Sequence, residues 1–293
     1  MPVMDRVWIN GQMSTHISVL DRGLTYGHGV FETLRLQRGK IILLDFHKAR
    51  LQRGLFVLGI DLSLDLLFSE LEQCILSDAH LQEGIVKITI TAGEGGRGYR
   101  WPSPLQPTRV IAWFPHDADH WAQLETQGMT VLLSDWCLAH QPQLAGIKHL
   151  NRLDQVMARR AVDLYHCDEG LLLDEHQHVI EGTSTNLFIY AKGAWITPRL
   201  NLCGVQGVMR QHLLTQIMPL LGHACHEQII TPEDLYQADE IFLSNILGIF
   251  PVVALTAPAE LTTSLLHTWS IGPRTQQCQQ AIHAWVESSF HRS

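Results

Sequence analysis

Lysine is scarce in this 293-residue chain: Lys40, Lys48, Lys87, Lys148 and Lys192 are the whole set, and none follows Lys192. Basic charge as a whole is short, 21 Lys+Arg against 29 Asp+Glu for a net −8, which argues against a nucleic-acid footprint. The six cysteines include no C-x-x-C pair, so they read as buried or free thiols of a reducing compartment. Long apolar runs are missing too. The uncharged stretch Ile241 to Ala259 is broken by Ser244, Asn245, Gly248, Pro251 and Pro258, which fits a buried strand–turn–strand and not a spanning helix. The opening MPVMDRVWINGQ lacks an apolar h-region and a small-residue cleavage site, so no export signal is expected and the location expected is cytoplasmic. What is present, 46% hydrophobic and 17% charged residues, suffices for one large or two medium domains.

The pattern along the chain is α+β. ETLRLQRGKIILL reads as a hairpin turning at Arg38-Gly39, and Asp45 is placed to cap a helix that stops near Gly59. A second helix is expected from about Ser63 to His80, then strands at IVKITITA and TRVIAWF. The polar segment after Pro115 marks a boundary, giving a small N-terminal α/β domain over 1–117 and a larger one over 118–293. In the second part a helix over 151–166 carries Leu153, Val156, Met157, Ala161 and Leu164 as its apolar stripe. Strands follow at EGLLLDE, HVIEG, TNLFIYA and EIFLSN, with helices near Gly207, after Thr231-Pro232 and at the C-terminus.

Several motifs yield to bland readings. Gly93-x-Gly95-x-x-Gly98 matches the dinucleotide fingerprint formally, but YRWPSP follows where a helix must open, so a substrate-facing loop is expected. The 17 histidines include the close pairs His116/His120, His176/His178 and His223/His226; none has a convincing ligand partner nearby in sequence, and no metal site is expected. The lysines separate by context. Lys40, Lys48 and Lys192 read as solvated; Lys87, alternating on a strand with Ile85 and Thr89, is a reserve candidate. Lys148, in LAGIKHLN just before a helix, is flanked by small and apolar residues. An amine held in an apolar pocket loses solvation of its charged form and becomes a nucleophile and base.

Thirty-three residues on begins Glu181-Gly182-Thr183-Ser184-Thr185-Asn186-Leu187-Phe188, and Gly207-Val208-Met209-Arg210 opens a helix with free N–H groups. An amine, a carboxylate and a helix-terminal anion cradle are the groups that pyridoxal phosphate needs. The E-G-x-x-x-N-L-F run, followed by T-P and G-V-M-R, resembles the signature of the class-IV aminotransferase family, the fold-type IV pyridoxal-phosphate enzymes. The resemblance spans Trp8 to about Val252; Trp195 departs from the usual aliphatic residue.

That family includes branched-chain and D-amino-acid aminotransferases and 4-amino-4-deoxychorismate lyase. Asp21-Arg22-Gly23, Gly27-x-Gly29-x-Phe31-x-Thr33, Gly95 to Tyr99 and above all Ala145-Gly146-Ile147-Lys148-His149-Leu150-Asn151-Arg152 are similar to the lyase branch. The resemblance implies a two-domain homodimer with pyridoxal 5'-phosphate between the domains. It implies Lys148 as the Schiff-base lysine and general base, Glu181 as the pyridinium partner, and Arg50, Val208, Met209 and Asn245 at the phosphate. Arg97 and Tyr99 would meet substrate carboxylates, and Thr33 would pass a proton to the leaving group or serve as a structural hydroxyl. The implied reaction converts 4-amino-4-deoxychorismate to 4-aminobenzoate and pyruvate for folate biosynthesis. The alternatives are an aminotransferase of the same fold and a catalytically inactive binding relative.

Overall fold

A computed structural model describes residues 6–101, 103–259 and 262–291; the first five residues of the expected leaderless N-terminus and Pro102 of the glycine-rich loop lie outside them. The chain forms two compact units. The first runs to Asp117 and takes in Ile147–Asn151; the second comprises Ala118–Gly146 and the chain from Arg152 onward. The five residues around Lys148, expected in the larger unit, thus count with the smaller one.

The first unit holds a six-stranded antiparallel sheet of β1 (Arg6–Ile9), β2 (Gln12–Met13), β3 (Gly29–Gln37), β4 (Lys40–Ile41), β5 (Gly84–Thr91) and β6 (Thr108–Phe114), in the order β2-β1-β6-β5-β3-β4. Its helices are α1 (Arg22–Tyr26), α2 (Leu44–Val57) and α3 (Leu64–Leu71), the last running on through a wide turn to Leu76. Arg38 and Gly39 both take positive φ between β3 and β4, as a tight hairpin turn that matches strand twist requires. Period-two burial along β3 sends Leu34 and Leu36 into a core with Val86, Ile88 and Ile111 of the sheet and Leu51, Leu55, Leu67 and Leu71 of the helices. α3 starts where expected, with Ser63 as its cap, its Oγ accepting from Leu66 N. Asp45 does not cap α2: the helix starts two residues earlier, with Leu43 at the cap position in the left-handed region, and Asp45 sits in its first turn. Lys48, expected to be solvated, is half-buried with its Nζ 4.8 Å from the Phe68 ring centroid.

The second unit contains β7 (Met129–Leu138), β8 (Glu169–Asp174), β9 (Val179–Gly182), β10 (Asn186–Ala191), β11 (Ala194–Pro198), β12 (Cys225–Gln228), β13 (Glu240–Asn245), β14 (Gly248–Ala259) and β15 (Thr262–Thr268). The strand order is β12-β11-β10-β13-β14-β7-β8-β9, with β15 on β14, and an additional β9–β10 pairing closes six strands into a ring. Val131, Leu171, Val179, Leu187, Leu243 and Phe250, one from each strand of that ring, belong to a single buried cluster. The uncharged stretch is indeed strand–turn–strand, β13 and β14, and no helix among the described residues is long and apolar enough to cross a membrane.

The helices of this unit are α4 (Ala118–Gln127), α5 (Leu153–Leu164), α6 (Val208–His212), α7 (Met218–Leu220), α8 (Pro232–Tyr236) and α9 (Pro273–Phe290); a wide turn over Leu213–Ile217 joins α6 to α7. α5 corrects the expected stripe. Leu153, Val156 and Leu164 are 68%, 60% and 69% exposed, while the small residues Ala158 and Val162 face the core. The strand surface of β7 and β8 admits a helix at close range, which selects small side chains over long ones.

Candidate active site

In the first unit the lysine segment behaves as a short extra strand. β4 covers only Leu36 and Gln37 of β3; toward the Gly29 end, Phe31 N donates to Lys148 O at 2.9 Å, Leu150 N donates to Gly29 O at 2.9 Å, and Val30 bridges to His149. These main-chain bonds fix where Lys148 starts. Its Nζ lies 4.5 Å from the Phe31 ring centroid, and Lys87 Nζ lies 5.4 Å from the same centroid. Thr33, two residues from Phe31, shares its face of the strand and stands opposite Lys87 in register. Phe31, Thr33, Lys87 and Lys148 therefore gather in one group.

Glu32 alternates to the buried side of β3 and is 1% exposed. Arg50 of α2 approaches it with two nitrogens, Nε to Oε1 at 2.7 Å and a second nitrogen to Oε2, while His47 Nδ1 lies 2.6 Å from Oε2. Burial pushes the Glu32 carboxyl up, but the Arg50 and His47 charges and hydrogen bonds outweigh it and hold the pKa at about 2. Burial lowers the His47 pKa; Glu32 works against this, and the Arg50 and Lys148 charges add to it. The histidine is accordingly neutral, donating from Nδ1, and its buried Nε2 has no hydrogen-bond partner among the described residues. Arg50, the expected phosphate ligand, is thus held beside a carboxylate that sequence reasoning missed. The missed signal was parity: Glu32 occupies the same strand face as Val30, Leu34 and Leu36, where a carboxylate demands a cation.

In the second unit Glu181 ends β9, 3% exposed, with Oε2 accepting from Val205 N at 2.7 Å. Asn186 faces it in register on β10 and donates from Nδ2 to Val205 O at 2.9 Å. Both amide groups flanking Val205 are therefore pinned to this strand pair. A Cβ on Gly207 would fall 1.9 Å from Asn186 Oδ1, so only glycine lets the loop press so closely before α6 begins. The first intrahelical bond runs from Gln211 N to Gly207 O, which leaves the N–H groups of Val208 and Met209 at the open helix end. Burial, reinforced by Glu181, pushes the nearby Cys203 thiol up to about 12, so it stays protonated. Asn245 Oδ1 accepts from Leu247 N at 2.8 Å and so closes the β13–β14 turn.

The turn after Glu181 is organised by a second overlooked residue. Buried Glu169 accepts from the N–H groups of Gly170, Thr183 and Ser184 and from the hydroxyls of Thr183, Ser184 and Thr185. The Thr-Ser-Thr run of the signature is thus a set of donors around one carboxylate. Glu169→Ala removes their shared acceptor, leaving the buried ones unpaired while Ser184 turns to water; an expected loss of about 2 kcal/mol is read from the urea midpoint at unchanged m-value.

Arg97 and Tyr99 lie exposed on the loop after β5, the Tyr99 ring 5.4 Å from that of Tyr26. No helix opens there, which sets aside the dinucleotide motif. Gly93 instead lets the chain pass Gln106, whose carbonyl oxygen would sit 1.7 Å from an added Cβ.

The model of the family described as amino-transferase class IV matches residues 29–255, and the chain belongs to that family. Among curated proteins it is 34% identical over 258 residues to an aminodeoxychorismate lyase of Vibrio harveyi, covering 86% of this chain and 92% of that protein. It is 25% identical to a D-alanine aminotransferase of Staphylococcus aureus, covering 97% and 99%. Among solved structures, a 4-amino-4-deoxychorismate lyase from Pseudomonas aeruginosa superposes with a TM-score of 0.84 at 38% identity, covering 95% and 98%. The branched-chain aminotransferase of Escherichia coli gives 0.79 at 26%, covering 96% and 94%.

Proposed function

We propose that this chain is a pyridoxal 5'-phosphate-dependent lyase that converts 4-amino-4-deoxychorismate to 4-aminobenzoate and pyruvate, the aminobenzoate-forming step of folate biosynthesis. The observation that carries the reading is the identity of 34% to one lyase and 38% to another, each over most of both chains, above the 25% and 26% to a D-alanine and a branched-chain aminotransferase. The donor set fits the cofactor. A lysine amine and a guanidinium belong to one unit; a buried carboxylate and an open helix end belong to the other.

When bound, the cofactor supplies an electron sink that makes the substrate C4–H acidic. Lys148 would anchor it, and its Nζ would take the substrate C4 proton. Glu181, held as an acceptor next to Val205 N–H, keeps the proton on the ring nitrogen. The Val208 and Met209 N–H groups, Asn245 and Arg50 hold the phosphate. The Thr33 hydroxyl would relay the proton taken up by Lys148 to the departing enolpyruvyl oxygen, receiving one proton as it gives one, and the carbocycle would become aromatic. Arg97 and Tyr99 bind substrate carboxylates from their exposed loop. The enzyme works as a cytoplasmic homodimer; exposed Val19, Leu20 and Leu24 beside that loop support the association.

The test is a visible spectrum before and after borohydride, followed by peptide mapping and a product assay. A yellow band bleached onto Lys148, with 4-aminobenzoate formed from the substrate, is the expected result. Amino-group exchange between amino acids and 2-oxo acids far faster than 4-aminobenzoate formation would make the chain an aminotransferase instead. A protein that stays colourless after reconstitution would be a non-catalytic binding relative.

A further inference from the structure

The β8–β9 turn, Asp174-Glu175-His176-Gln177-His178, was expected to be solvated, with no ligand partner for its histidines. The structure brings His140, from the segment after β7, onto it. Buried Asp174 accepts from the backbone N–H groups of His176 and His178 at 2.9 Å through Oδ1. Its Oδ2 lies 2.9 Å from His140 Nε2 and 3.2 Å from His178 Nδ1. With a proton on Nε2, facing that carboxylate, Nδ1 carries the lone pair. Yet Nδ1 faces Glu175 Oε1 at 2.8 Å. Two acceptors at that distance repel unless a cation lies between or beside them. Either a second proton fills that role, or a metal ion does. The third imidazole favours the metal: the ligand atoms of His140, Glu175 and His176 all lie within 4.8 Å of one another, and the His140 and His176 ring centroids are 5.0 Å apart. A proton shared by two atoms needs no third donor.

We propose that His140 Nδ1, Glu175 and His176 form a binding site for a divalent transition-metal ion of the zinc class, with Asp174 as the outer carboxylate that orients His140. Two imidazoles, one carboxylate and an orienting aspartate are a zinc-type donor set. Ligands about 2.1 Å from a tetrahedral ion stand roughly 3.4 Å apart, so Glu175 must open its 2.8 Å contact slightly, which an exposed side chain at a turn can do. An ion there ties the β8–β9 turn, which leads directly into the strand bearing Glu181, to the segment after β7. The site is independent of the proposed reaction.

Titration of the cofactor-loaded full chain with ZnCl2, and with CoCl2 followed by its visible d–d bands, tests this. One saturable equivalent is expected, with a melting temperature that rises with metal concentration. His176→Ala and Glu175→Gln, both at exposed positions, should each weaken binding about tenfold or more while melting like the parent without metal. No saturable binding up to roughly 100 µM overturns the site and leaves a proton in the His140–Glu175 contact. Affinity unchanged in both variants also overturns it, since the metal then sits elsewhere.

Discussion

Lys148→Ala protein is expected to form 4-aminobenzoate at least ~10,000-fold more slowly than the parent, while losing no more than about 1 kcal/mol of stability. Two contributions combine in the rate. A positioned general base is worth ~100- to 10,000-fold, and removal of the covalent anchor takes away the orientation of the reacting centre as well. Stability is spared because the segment is held by main-chain atoms. Lys148 O accepts from Phe31 N and Leu150 N donates to Gly29 O, and alanine keeps both bonds. Among its side-chain contacts the fold loses the ammonium over the Phe31 ring, worth ~0.5–1 kcal/mol when partly exposed. Lys148→Arg separates charge from chemistry: the guanidinium can rest on the same ring but cannot release a proton near neutral pH, so activity should stay as low as in the alanine variant. Single-turnover product formation, read beside a thermal melt, checks both halves. A variant that folds and retains a tenth of parental turnover would remove Lys148 from the chemistry.

How much was legible in the sequence follows from how local the deciding interaction is. The Arg38-Gly39 hairpin and the helix starts at Ser63 and after Thr231-Pro232 were legible because every residue that sets them lies within a few positions. Lys148 and Glu181 were singled out as candidates through motif and spacing. Glu32 and Glu169 were not, because their meaning depends on side chains 15 to 18 and 14 to 16 residues away for most of their bonds. Each of the two carboxylates sits at a core-facing strand position, and the composition of a strand alone cannot tell which cation or turn will meet it. The α5 stripe failed for a related reason. Helical spacing identifies a face, but which face is buried depends on how near β7 and β8 lie, and there Ala158 and Val162 fit where leucine does not. His140 lies 34 residues before Asp174 in sequence, so inspecting histidine pairs by proximity along the chain could not assemble that cluster.

The Glu32 lock gives the largest effect on stability and a distinctive pH signature. Glu32→Ala leaves the Arg50 guanidinium and the His47 imidazole without their acceptor in a site where Glu32 itself is 1% exposed, and breaking such a pair from one side costs about 3–5 kcal/mol. Glu32→Gln keeps the shape and one acceptor, so it should cost less and remain foldable for titration. The Glu32 pKa falls from 4.5 to about 2 on folding, so between those values the unfolded chain binds the extra proton and acid favours unfolding. That stability is complete above the unfolded value and is lost as pH drops through the folded one. A shift of this size corresponds to about 3 kcal/mol. His47 adds in the same direction over an earlier window. Its folded pKa is lowered from 6.5, so the unfolded state takes up its proton first and stability begins to decline below pH 6.5. The parent should therefore weaken in two stages on acidification, first below pH 6.5 and then, more steeply, from about pH 5 toward 2. Glu32→Gln removes the Glu32 share of the second stage and leaves the smaller share of Asp174 and Asp78, whose carboxyls are also held low by their hydrogen bonds. It leaves the first in place, because burial and the Arg50 and Lys148 charges still disfavour a cationic His47 once its carboxylate partner is gone. Urea midpoints measured across this range for parent and variant decide the matter. Curves that stay parallel from pH 5 to 2 would mean that the Arg50–Glu32–His47 group does not govern acid stability, whereas a variant that flattens only in that window isolates Glu32 as its source.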